Sequence, residues 1–137
     1  MLNLIVGNKG SGKTKRMIDM INESLKISKG NIVCIEKGMK LTYDISHKVR
    51  LVEVESYDVS GYDTFYGFVS GMLAGNYDIS EIYIDGIFKI GGRDYEKFSE
   101  FVAKLDTLAT GHNDLKVVMT VSCDESELAP ELKKYFC

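Results

Sequence analysis

Apolar residues in this chain gather in short runs separated by stretches where they recur every third or fourth position. Leu2 to Val6 (LNLIV) is an apolar run of strand length, and Met17, Ile18, Ile21 and Leu25 then follow at helical spacing, which predicts an amphipathic helix over 14–29. Residues 31–36 (NIVCIE) read as a second buried strand and 49–55 (VRLVEVE) as a third with partial alternation, joined by a polar loop over 37–48. Asp63 is placed to cap a helix in which Phe65, Val69, Met72 and Leu73 share a face, ending near Gly75 and Asn76. Residues 82–87 (IYIDGI) and 116–122 (KVVMTVS) read as strands four and five. Between them, Asp94 opens a helix lined by Phe98, Phe101, Val102, Leu105 and Leu108 and closed by Gly111. The tail SELAPELKKYF predicts a short closing helix with Pro130 in its first turn.

Strands alternating with helices make this an α/β chain. The expected architecture is a three-layer αβα sandwich around a mainly parallel five-stranded sheet, with ligands taken beyond the carboxyl ends of the strands. Gly67, Gly71 and Gly75 recur every fourth residue, a spacing expected to serve close packing of their helix against the sheet.

Composition narrows this picture. At 137 residues with 45% apolar side chains, one domain spanning 1–137 is expected, with no linker, repeat or low-complexity tract. No apolar run approaches membrane-span length and the start lacks the features of a signal peptide, so cytoplasmic residence is the default expectation. Cys34, Cys123 and Cys137 lack the spacing of a disulfide framework or zinc site. A net charge of −3 argues against a broad nucleic-acid-binding face, and the local cluster Lys37, Lys40, His47, Lys48 and Arg50 reads as a solvated loop.

The chemistry concentrates directly after the first strand. In GNKGSGKT, residues 7–14, Gly7, Gly12, Lys13 and Thr14 satisfy G-x-x-x-x-G-K-[ST] in full, between a strand and a helix as that pattern requires. Glycines at 7, 10 and 12 let successive backbone N–H groups converge on an anion, and the following helix aims its unpaired amides and positive dipole end at the same point. The loop Gly7, Asn8, Lys9, Gly10, Ser11, Gly12, Lys13 and Thr14 is therefore the expected nucleotide-phosphate cradle, with Lys13 reaching the β/γ oxygens and Thr14 holding Mg²⁺. Asp85, closing the apolar run Ile82, Tyr83, Ile84, is the expected second metal-site residue, whereas Glu81 stands at the wrong end of that strand.

GNKGSGKT and IYID resemble the Walker A and Walker B elements of P-loop NTPases. The polar Thr120 and Ser122 ending the fifth strand resemble the sensor strand of the RecA-like or additional-strand branch, and the layout is similar to short bacterial ATP-binding proteins. The resemblance implies a P-loop NTPase fold, ATP and Mg²⁺ as ligands, and the strand order 49–55, 31–36, 82–87, 116–122, 2–6. It also implies a departure: where efficient ATPases of that branch carry a glutamate after the Walker B aspartate, this chain has Gly86. Glu36, at the end of the second strand, and Asp124 are the alternative carboxylates, and Arg93 in the loop FKIGGRD (88–94) is the candidate to reach the terminal phosphate. The expectation is a slow or partner-activated Mg-dependent ATPase acting as a nucleotide switch. The alternative is a small-molecule kinase, though the chain shows no arginine-rich lid and no zinc lasso of the type II thymidine kinases. GTP is disfavoured by the absence of an N/T-K-x-D segment.

Overall fold

The computed structural model describes all 137 residues. Strands β1 (Leu2–Gly7), β2 (Asn31–Glu36), β3 (Arg50–Glu53), β4 (Ile79–Ile84) and β5 (Lys116–Ser122) form one sheet in the order β1-β5-β4-β2-β3. Every pairing is parallel, with Leu2 opposite Val117, Ile84 opposite Met119 and Ile35 opposite Ile84. This is the strand order expected from the sequence, and it puts β5 between β1 and β4. All five carboxyl ends consequently open on one edge of the sheet.

Period-two alternation divides the strand residues between two apolar layers. Val33, Ile35, Ile82, Ile84, Val117 and Met119 face α2 (Tyr62–Gly75) and α4 (Tyr95–Thr110). Ile5, Ile32, Cys34, Tyr83 and Val118 face α1 (Lys13–Leu25), where Met17 and Ile21 are buried. The sheet is covered on both faces, as a parallel sheet must be to keep its near-continuous apolar strands from water. No helix is long and apolar enough to cross a membrane.

Several local expectations are corrected. The fourth strand runs over Ile79–Ile84 and not 82–87, because Gly86 takes the left-handed conformation (φ 72°) and turns the chain into a short helix, α3 (Ile87–Gly91). The stretch read as the loop FKIGGRD is therefore mostly helical, with Ile87, Phe88 and Ile90 buried. The segment 37–48 is no solvated loop throughout: Leu41 and Ile45 are buried and, with Val49, join the α1 layer. Asp63 lies inside α2, whose N-cap is Gly61. Asp94 does cap α4, accepting from the Lys97 N–H. Gly67, Gly71 and Gly75 do not pack against the sheet: a Cβ added at any of them meets nothing within 4 Å, because they occupy the side of α2 away from Phe65, Val69 and Leu73.

Candidate functional site

The loop joining β1 to α1 is shaped by its glycines at three points. Gly10 (φ 84°) and Gly12 (φ 87°) occupy the left-handed region, and a Cβ on Gly7 would stand 2.5 Å from Ser11 Oγ. The Ser11 N–H donates to the Asn8 carbonyl at 3.1 Å and closes a tight turn. α1 starts from Gly12 without any side-chain cap, so its first amides remain available at the mouth of the loop. Lys13 is almost buried at 8% exposure, and its ammonium folds back to donate to the Asn8 carbonyl at 3.0 Å.

Across the loop, Asp85 stands one residue past β4, tied by its N–H to the Ile35 carbonyl at 2.9 Å. One carboxylate oxygen, Oδ1, accepts from two hydroxyls: Thr14 Oγ1 at 3.0 Å and Thr120 Oγ1 at 2.8 Å. Thr120, 1% exposed, also accepts from the Gly86 N–H at 2.7 Å, so a single buried hydroxyl sets both the aspartate and the turn behind it. Thr14 and Asp85, 71 positions apart, are thus brought into direct contact.

These groups line a cleft of about 500 Å³ with Asn8, Lys9, Gly10, Lys13, Lys89, Arg93, Ser122 and Glu127. Arg93 is exposed there but braced: Nη2 donates to the Ser122 carbonyl at 2.9 Å, Nη1 to Tyr95 Oη at 3.3 Å, and the guanidinium lies 5.1 Å from the Phe88 ring centre. Tyr95 in turn donates to Glu127 Oε2 at 2.6 Å, which holds the Glu127 carboxyl below the usual glutamate range, with the Asp124 N–H adding to the effect.

The other nominated carboxylates are placed differently. Glu36 is buried at 3% exposure, and its two oxygens accept from the Lys40 and Leu41 N–H groups, each at 3.1 Å. It lines a smaller adjoining cavity of about 220 Å³ with Lys37, Lys40, Glu55, Asp85 and Lys89, not the main cleft. Asp124 caps the turn 125–127 and lies below the usual aspartate range because the Ser126 hydroxyl and N–H donate to it. Glu81 sits inside β4 toward its amino end, accepting from Tyr83 Oη at 2.5 Å with Lys116 Nζ 3.9 Å away. Cys34 lies in the core under α1: burial, then Asp85 and Glu36, push its thiol up to about 12, so it stays protonated and unreactive.

Sequence reasoning missed Lys89 and treated Lys40 as part of a solvated loop. Finding Lys89 required the helix α3, whose five residues are too few to show a helical period. A second hollow, of about 470 Å³, lies between α2 and the amino ends of β2 and β3, with a mainly apolar lining that includes Val33, Val52, Phe68 and Met72. Its only charged lining residues are Lys48 and Arg50, and the convergent hydroxyl, carboxylate and ammonium groups belong to the opposite edge. No family model matches the chain, and no curated protein matches it.

Proposed function

We propose that this chain is a P-loop ATP-binding protein, a slow Mg-dependent ATPase whose nucleotide state acts as a switch. The observation that carries the reading is the 3.0 Å contact between Thr14 Oγ1 and Asp85 Oδ1 at the mouth of the glycine loop. A hydroxyl and a carboxylate held together beside uncapped helix amides form a hard-oxygen donor pair next to an anion cradle. Mg²⁺ is commonly held by one or two protein oxygens and completed by substrate phosphates and water, and no cage of three or more acidic, His or Cys groups exists here to favour another metal. Thr14 and Asp85 would hold the ion, which when bound neutralises charge on the phosphate oxygens. The loop amides from Gly10 to Thr14 bind and orient the phosphates, and Lys13 exchanges the Asn8 carbonyl for a phosphate oxygen. Thr120 keeps Asp85 in place. The P-loop NTPase fold and the additional-strand branch are supported by the position of β5 between β1 and β4.

Isothermal titration calorimetry with Mg-ATP tests this directly. Wild type binds ATP, and folded Lys13→Ala loses at least tenfold in affinity, since a charge-assisted hydrogen bond contributes about 1.5–3 kcal/mol. Unchanged affinity in the variant overturns the assignment.

A further inference from the structure

The main cleft and the smaller cavity beside it share two wall residues, Asp85 and Lys89. Lys89 projects from α3 and Lys40 from the segment after β2, and both line the smaller cavity. Lys9 stands on the glycine-loop side. None of these three lysines forms an ion pair anywhere in the molecule.

Both positions are built from buried structure. The Lys40 backbone is fixed by the buried Glu36 carboxylate, and the next residue, Leu41, is anchored in the core. α3 is seated by Ile87, Phe88 and Ile90, and the Lys89 N–H donates to the Gly86 carbonyl at 2.9 Å. The Lys89 stem lies across Gly86, so that a Cβ added there would stand 3.3 Å from its Cδ. The fold therefore holds two ammonium groups together beside Asp85, where like charges repel. Nearby carboxylates relieve this only in part: Glu36 is committed to backbone amides, Glu55 is exposed without a partner ammonium, and Asp85, whose charge favours the ammonium, forms no ion pair with either lysine. The Lys89 ammonium is accordingly held below the usual lysine range, first by partial burial and then by the neighbouring Lys40 ammonium; Asp85 opposes this and Lys9 adds to it.

We infer that Lys40 and Lys89 form a clamp for the terminal phosphate, by which the site distinguishes a nucleoside triphosphate from a diphosphate. This rests on the nucleotide-binding reading above. The loop amides and Lys13 serve the β-phosphate common to both nucleotides, and Lys13 alone among the loop's groups also reaches the terminal one. Lys89 borders the main cleft and Lys40 the cavity that adjoins it at Asp85, so a further dianionic group extending from the glycine loop past Asp85 would meet both ammoniums. Lys40 and Lys89 are specificity-determining residues in this scheme.

Calorimetric titration of Mg-ATP and Mg-ADP into wild type, Lys40→Gln, Lys89→Gln and Lys89→Arg provides the test. Wild type is expected to prefer ATP. Each glutamine variant should weaken ATP about tenfold, the equivalent of one charge-assisted hydrogen bond, while changing ADP less than twofold. Lys89→Arg should retain the preference. Without nucleotide, the glutamine variants should melt at the wild-type temperature or above, because a repulsion has been removed; a merely structural role would lower it. Equal ATP-to-ADP ratios in wild type and the glutamine variants, with ATP still bound in a Lys13-dependent way, overturn the clamp and leave nucleotide binding intact. Failure of wild type to bind either nucleotide overturns the underlying reading and the clamp with it.

Discussion

Thr120 illustrates how much of the site depends on one atom. Its hydroxyl donates to Asp85 Oδ1 at 2.8 Å and accepts from the Gly86 N–H at 2.7 Å, and it is 1% exposed. Thr120→Val preserves shape but deletes both interactions, leaving a partly buried N–H without an acceptor, a loss of about 1–3 kcal/mol in unfolding free energy. Urea denaturation checks the magnitude, and Thr120→Ser should recover most of it. The loss of Asp85 orientation should also weaken Mg-ATP binding more than ADP binding without metal. Thr120, Asp85 and the loop residues were legible in the sequence because each closes or follows an apolar run, where a polar residue is conspicuous. Glu36 was visible for the same reason, but its burial was not. Whether a strand-end glutamate meets water or two backbone amides depends on how the next five residues fold, and that segment carries no period.

At the level of elements, the long amphipathic pieces were readable and the short ones were not. α4 matches its expected start and finish because Asp94 supplies a cap and four of the five residues expected on its core face, Phe98, Phe101, Val102 and Leu105, are buried, with Ala109 taking the place expected of Leu108. α3 is only five residues long and begins through the left-handed turn at Gly86, so neither spacing nor a side-chain cap announces it. The segment 37–48 looked polar, yet Leu41 and Ile45 use it to cover the sheet beside α1, the face that has only one helix. α2 gives a stability test. Gly67 and Gly71 lie within the helix with open space where a Cβ would go, so glycine there supplies flexibility without a packing reason. Gly67→Ala and Gly71→Ala should each stabilise the protein by roughly 0.5–1 kcal/mol. Chemical denaturation of both single variants and the double checks this; destabilisation at either site would mean that the outward face of α2 meets a neighbour.

At the scale of the whole molecule, the proposed function combines phosphate binding with weak activation of water. The parallel sheet brings Gly7, Asp85, Ser122 and Glu36 to one edge, and the cleft at that edge carries Lys9, Lys13, Lys89 and Arg93 against Asp85 and Glu127. A hydrolytic site also needs a carboxylate free to take a proton from water, and each candidate already has other work. Glu36 accepts two backbone amides, Asp124 caps a turn, and Glu127 accepts from Tyr95 and the Asp124 N–H with its proton affinity lowered. Asp85 is held by Thr14 and Thr120, and the next residue, Gly86, offers no side chain. Absence of a general base typically lowers rate by ~10²–10⁴-fold from a typical ~10 per second, so the isolated protein should turn over Mg-ATP on the order of 1 per minute, at most a few per minute. Gly86→Glu is a poor rescue, because position 86 has φ 72° and a Cβ there would press the Lys89 stem at 3.3 Å. The decisive measurement is single-turnover hydrolysis by wild type at saturating ATP. Several turnovers per second, abolished by both Asp85→Ala and Lys13→Ala, would show that one of these committed carboxylates is released when nucleotide binds and serves as the base.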